Sequence, residues 1–258
     1  MSLQKVKCVL LIISGKGGVG KSTSAVQLAL SLAEEGKKVA LLDTDICGPS
    51  IPRMLDLNDC SVLQSERGWL PATITRSLSP SNHCFFTDEN SAVIWRGPKK
   101  NSMIRQFIND VDWGELDYLV IDTPPGTSDE HISIVECLRE QQKPDGAILI
   151  TTPQILSIND VRRELTFCRK ANIPIMGILE NMSGYVCPHC SECTNIFSKG
   201  GGQSLAQYAN VPYLGSIPID PNLGECAEFG RNYIEQFKSS EAAQRFKTIA
   251  RNLIEEVQ

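Results

Sequence analysis

No apolar run in this 258-residue sequence approaches the length of a bilayer crossing, which leaves no candidate transmembrane helix. A basic excess is also missing. Lys and Arg total 25 against 30 acidic residues, for a formal net charge of -5, so a general nucleic-acid or anionic-membrane surface is not favoured. There is no internal repeat, long linker or low-complexity tract, so one domain over residues 1–258 is expected. The opening MSLQKVKCVLLIISG carries two lysines and an apolar stretch but no A-x-A-like cleavage site. It runs straight into a glycine loop and reads as a first core strand, not a secretion signal. A reducing compartment is therefore expected.

Ten cysteines stand out in that setting, where disulfides are not expected. Cys8, Cys47, Cys60, Cys84, Cys137, Cys168 and Cys226 are scattered and read as small buried or half-buried residues. Cys187, Cys190 and Cys193 sit together.

The remaining pattern alternates strands and helices. Val6 to Ile13 is apolar almost throughout, as in a parallel strand covered on both faces. Ser22 to Glu35 has helical spacing at Ala25, Leu28, Ala29 and Leu32, and Gly36 stops it. Further strands are expected at Val39–Leu42, Tyr118–Ile121, Ala147–Ile150 and Ile173–Leu179, each followed by polar residues, with a short last strand at Val211–Ser216. Helices are expected near 101–110, 128–140, 157–170 and 241–257, the last with Phe246, Ile249, Leu253 and Val257 on one face. The stretch from Asp59 to Asn90 has few periodic apolar residues and reads as loop with short strands. The implied fold is α/β, a doubly wound and mostly parallel sheet that binds its ligand at the carboxyl edge of the strands.

Gly15, Gly20, Lys21 and Ser22 fit G-x-x-x-x-G-K-[ST] between a strand and a helix. The loop from Gly15 through Lys16, Gly17, Gly18, Val19, Gly20, Lys21, Ser22 and Thr23 can turn backbone N–H groups onto phosphates, and the following helix adds its positive end. Lys21 is expected to reach the β- and γ-phosphates of ATP, and the Ser22 hydroxyl to bind Mg²⁺. The second lysine, Lys16 in GKGGVGK, resembles the deviant Walker ATPases, the group of MinD, ParA and the nitrogenase iron protein. The resemblance implies that Lys16 reaches the nucleotide of a facing subunit. It also implies that Asp43 and Asp45 in LLDTDICGPS form a first switch, with Asp45 activating water. By the same resemblance Asp122 is the Walker B residue, Pro124 to Thr127 the second switch, Asn181 the reader of adenine, and Pro218 to Asp220 a loop closing over the base. Asp129 has two readings, a switch residue or part of a helix cap. Lys16, Lys21 and Asp45 are the expected catalytic residues.

Cys187-Pro-His-Cys190-Ser-Glu-Cys193 has spacing suited to Zn²⁺ or an Fe–S cluster. No C-x-x-C exists outside this run to complete four thiolates within one chain, whereas Cys187 and Cys190 from each of two facing chains would do so. A zinc knuckle using His189 or Cys193 is the competing metal reading. GKGGVGKST, DICGPSIPRM, WRGPKK, DVDWGELDYLVIDTPPGTSDEH, NMSGYVCPHC and FSKGGG together resemble the Mrp/ApbC group of Fe–S scaffold ATPases, over nearly the whole chain. Few residues precede the loop, with Cys8 alone among the cysteines there, which resembles the shorter eukaryotic cytosolic type that partners a longer paralogue. That likeness implies a [4Fe–4S] cluster bridged by Cys187 and Cys190 and passed to apoproteins, a homodimer or a hetero-oligomer with the longer paralogue, a cytoplasmic location, and no nucleic-acid or membrane partner. Cys193 has no role in that scheme. In the family the stretch between Trp69 and Trp95 holds a clearer apolar strand than SPSNHCFF offers. Two alternatives remain: a positioning ATPase of the MinD/ParA kind with structural zinc, and a zinc-stapled metabolic ATPase. The mixed charges of the last helix (Arg245, Lys247 and Arg251 with Glu241, Glu255 and Glu256) speak against the first.

Overall fold

The computed structural model describes residues 3–46, 48–57, 63–65, 68–73, 84–86, 97–141, 143–186, 193–194 and 196–257. In chain order the elements are β1 (Val6–Ser14), α1 (Lys21–Glu34), β2 (Val39–Asp43), α2 (Ile51–Met54), β3 (Leu63–Ser65), β4 (Gly68–Leu70), β5 (Ala72–Thr73), β6 (Cys84–Phe86), α3 (Gly97–Asn109) and β7 (Leu116–Asp122). Then follow α4 (Asp129–Arg139), β8 (Gly146–Thr151), α5 (Ile155–Lys170), β9 (Ile175–Glu180), β10 (Tyr185–Val186), β11 (Cys193–Thr194), α6 (Gly201–Ala209), β12 (Tyr213–Ser216), α7 (Pro221–Glu228), α8 (Tyr233–Gln236) and α9 (Glu241–Val257).

The main sheet has the order β12-β9-β8-β1-β7-β2-β6-β5. Every pairing is parallel except β5 with β6. β1 sits between β7 and β8, so the loop after it opens where the strand order reverses. Successive side chains of a strand point to opposite faces. Cys8, Leu10 and Ile12 accordingly enter a core with α1 and the Phe246, Ile249 and Leu253 stripe of α9. Val9, Leu11 and Ile13 enter a second core with α3, α4, α5 and α6. Both faces are covered, which is why β1 is apolar without alternation.

Element boundaries differ from the sequence expectation where proline intervenes. The strands expected from Ile173 and Val211 begin at Ile175 and Tyr213, because Pro174 and Pro212 have no N–H to add to the ladder. The helix expected from Asn101 starts at Gly97, with Pro98 tolerated in a first turn whose N–H groups are unpaired anyway. In the stretch expected to be loop with short strands, β3 and β4 pair antiparallel and Cys84–Phe86 joins the main sheet beside β2. The weak SPSNHCFF segment thus supplies a strand after all, three residues long. Cys8, Cys137, Cys168 and Cys226 are buried free thiols, as expected. Cys47 and Cys60 lie outside the described residues.

One core side chain carries a pH signature. Glu164 is buried on α5, and its Oε2 has no hydrogen-bond partner among the described residues. Burial, aided by Asp160 and opposed by Arg163, pushes its carboxyl from 4.5 up to about 7. The folded chain then holds a proton that the unfolded chain releases, so this group costs stability increasingly as pH rises from 4.5 through about 7. The full shift corresponds to about 3 kcal/mol, which screening near the partly exposed Asp160 reduces to roughly 1–2 kcal/mol. Glu164→Gln is expected to melt above the native protein at pH 8, with a smaller gap at pH 5. Equal gaps at both pH values in parallel melting curves would discount the effect.

Candidate nucleotide site

The loop from Gly15 to Gly20 follows the last residue of β1 and leads directly into α1. Gly20 caps α1 in the left-handed conformation (φ 80°), and its carbonyl accepts from the Ser24 N–H at 2.9 Å. An added Cβ on Gly20 would lie 2.2 Å from Asn181 Nδ2. Gly15 has no room either, since a Cβ there would meet Asp160 of α5 at 2.5 Å. The Ser14 hydroxyl donates to the Lys16 carbonyl at 3.1 Å, which holds the turn beside the second lysine.

Lys21 and Asp122, a hundred residues apart in sequence, meet because β1 and β7 are sheet neighbours. Lys21 Nζ donates to Asp122 Oδ1 at 2.5 Å and to Ser22 Oγ at 3.3 Å. Lys21 is 7% exposed and Asp122 fully buried. Asp122 Oδ2 has no hydrogen-bond partner among the described residues. An unpaired buried carboxylate oxygen close to the Ser22 hydroxyl is an oxygen-rich, anionic donor set, which fits a hydrated Mg²⁺. Burial raises the Asp122 carboxyl, against the pull of Lys21 and Ser22.

Asp43 ends β2 opposite Asp122. Its Oδ1 accepts from the Asp45 N–H at 2.9 Å, and its Oδ2 from Ser50 and Ile51 N–H at 3.2 and 3.4 Å. It therefore gathers the loop 44–51 around one carboxylate. Burial, then the neighbouring Asp122, pushes that carboxyl to about 7. Thr44, which sequence reasoning missed, fastens the same loop to β7. Its N–H and hydroxyl both donate to the Asp122 carbonyl, at 3.0 and 2.6 Å. The expected second switch is tied to β1 by the Gly126 N–H on the Ser14 carbonyl at 2.8 Å. Ser128 and His131 form a capping box at the start of α4, which puts Asp129 in its first turn, where a carboxylate suits the helix dipole.

Asn181 is buried with its side-chain N–H on the Val19 carbonyl at 2.9 Å, so it touches the loop directly. Pro218 lies on a segment laced to 180–184 by Ile217 N–H on the Glu180 carbonyl and Ile219 N–H on the Gly184 carbonyl, both 2.8 Å. Asp220 caps α7 through the Asn222 N–H at 2.9 Å and accepts from the Tyr233 hydroxyl at 2.6 Å. Both of its oxygens are thus engaged by protein groups. Cys187 and Cys190 lie outside the described residues. The strands on either side of 187–192 pair antiparallel, with Val186 opposite Cys193.

The glycine loop, Lys21, Asp43, Asp122 and Asn181, expected from sequence to form a nucleotide site, are together at one sheet edge. A family model described as "ParA: NUBPL iron-transfer P-loop NTPase" matches residues 5–254. The chain belongs to this iron-transfer P-loop NTPase family. Within it, the chain is 56% identical over 257 residues to the cytosolic Fe-S cluster assembly factor NUBP2 of Gallus gallus, covering 98% of this chain and 94% of the relative. The Homo sapiens protein of that name is 54% identical with the same coverage. Among solved structures, the nucleotide-binding protein of Archaeoglobus fulgidus in complex with ADP matches at 35% identity and a TM-score of 0.80, over 94% of this chain and 93% of that one. The Mg-ADP complex of MinD from Pyrococcus horikoshii, at 23% identity and a TM-score of 0.70 over 95% of both chains, shares the fold. Family membership supports ATPase activity in general terms.

Proposed function

We propose that this chain is an ATP-dependent scaffold that assembles a [4Fe–4S] cluster across a dimer and passes it to cytosolic and nuclear apoproteins. The observation that carries the reading is a short chain path. Asn181, bonded to the nucleotide loop at Val19, is six residues from Cys187, and the strands β10 and β11 that flank the cysteine segment pair with each other. Movement of the loop with nucleotide would therefore be felt at the base of the cysteine segment. Four thiolates from two chains, Cys187 and Cys190 from each, would hold the cluster as cargo. The partner is a second copy or a longer paralogue. Support for a protein-covered surface comes from Ile155, Leu156 and Ile196, which are 66%, 67% and 55% exposed. Ser198 Oγ donates to the Pro153 carbonyl, so these apolar residues come from neighbouring segments.

In the ATP reaction Lys21 and Lys16 balance charge on the transferring phosphoryl group, Asp45 orients the attacking water, and Asn181 and the 218–220 segment flank the base. Mg²⁺, when bound by Ser22 and through water by Asp122, supplies further charge neutralisation. Water adds to the γ-phosphorus and the bond to the β-phosphate oxygen breaks, giving ADP and phosphate. The names of the relatives support a cytosolic location.

The test is anaerobic reconstitution with iron and sulfide, followed by the visible spectrum, metal content and oligomer mass. About four irons per dimer, with a broad cluster absorption, are expected from a four-cysteine site. The Cys187→Ser and Cys190→Ser variants should lose both. Colourless protein with stoichiometric zinc would overturn the proposal and favour a positioning ATPase with structural zinc.

A further inference from the structure

A cleft of about 400 Å³ lies between the two segments read as switches, lined by Thr44, Asp45, Pro124, Ser128, Lys100 and Glu130 among others. Lys100 comes from α3 and Glu130 from the first turn of α4, and their side chains meet at 3.3 Å. Both are mostly shielded, at 19% and 18% exposure. Burial alone would raise the Glu130 carboxyl. The Ser128 hydroxyl, its own N–H and Lys100 outweigh that and hold it below its ordinary value, so Glu130 is a carboxylate at neutral pH.

We infer that Lys100 and Glu130 are positioning residues for ATP hydrolysis: their ion pair sets the second switch against Asp45 across this cleft. Glu130 follows Ser128 by two residues and stands in the first turn of α4, directly after the segment 124–128. Lys100 stands on a helix whose inner face, Met103, Ile104 and Phe107, is buried in the core. The pair therefore ties the end of the segment 124–128 to a helix anchored in the core. A partly solvated pair at this distance adds little to folding, so its worth lies in geometry at the wall of the reaction cleft. Asp45 lines the same cleft, where a displacement of the proline-rich segment would alter the space for the attacking water.

The inference rests on Asp45 orienting that water, and the test separates the two ideas. Single-turnover hydrolysis would be measured with full-length protein in excess over Mg-ATP, alongside ADP titration and melting. Lys100→Met and Glu130→Gln are expected to slow hydrolysis by about 10- to 100-fold with ADP affinity and melting temperature nearly unchanged. Lys100→Arg should keep most of the rate. Combining Lys100→Glu with Glu130→Lys should recover part of the rate lost by Lys100→Glu alone. Native-like hydrolysis in Lys100→Met, or no recovery in the exchanged pair, overturns the inference. Asp45→Asn is the reference: if it is slow while Lys100→Met is native-like, only the positioning pair fails. If Asp45→Asn is native-like, the hydrolytic reading falls and takes the inference with it.

Discussion

Lys21→Ala should lower ATP hydrolysis by about 10³-fold while leaving the purified protein able to take up a cluster in vitro. The rate loss follows from removing the one buried ammonium between Ser22 and Asp122. Its partner is then stranded, since Asp122 is fully buried and its other oxygen already lacks a partner among the described residues. Breaking a buried pair from one side costs about 3–5 kcal/mol when the remaining charge persists. Asp122 has an escape, because burial already raises its carboxyl and protonation removes the charge. A modest fall in melting temperature, smaller at low pH, is therefore expected. In the proposed function cluster uptake would rest on Cys187 and Cys190, which are far along the chain from Lys21. A Lys21→Ala protein that cannot bind iron and sulfide at all would show that the two sites are not separable.

The second large effect is structural. Gly15→Ala should destabilise the fold by about 1–3 kcal/mol, or roughly 3–10 °C in melting temperature, and weaken nucleotide binding with it. The new methyl group would sit 2.5 Å from Asp160 Cβ, 2.6 Å from the Asp160 carbonyl carbon and 2.9 Å from the Val161 nitrogen. Two of those atoms are backbone of α5, which no rotamer change can move aside. Either the loop lifts from the sheet edge or α5 shifts against the core. Gly17→Ala is the internal comparison, because nothing lies within 4 Å of its added Cβ. Calorimetry should show Gly17→Ala melting like the native chain. Similar melting losses in both variants would refute the steric explanation.

Much of the architecture was legible in sequence because both faces of the central strands are covered. Val6 to Ile13 had to be apolar in nearly every position, and such a run is hard to misread. The nucleotide loop was legible for another reason: a glycine is needed wherever φ is positive or a neighbour leaves no room, and Gly15, Gly18 and Gly20 of GKGGVGK meet those needs. Helix α6 was not legible. It begins in FSKGGG, which reads as a breaker, and it is capped by Glu180, whose Oε2 accepts from the Gly202 N–H at 2.6 Å across 22 residues. Capping by a distant strand-end carboxylate leaves no local signal. Likewise β6 is three residues long, and only its place beside β2 makes it a strand.

The residues of the candidate site divide in the same way. The sequence by itself determined the fold class, the glycine loop between strand and helix, the carboxylates at strand ends and the cysteine spacing, because each depends on local geometry or on residue type at short range. Only the tertiary structure decided which of these touch. It paired Lys21 with Asp122 through adjacent parallel strands and gathered the loop after Asp43 onto that carboxylate. It also bonded Asn181 to Val19 and committed both oxygens of Asp220 to Asn222 and Tyr233. Thr44, Asp160 and the Lys100–Glu130 pair entered the account for the same physical reason: sheet order and helix packing fix contacts between distant residues, and chain spacing carries no record of them.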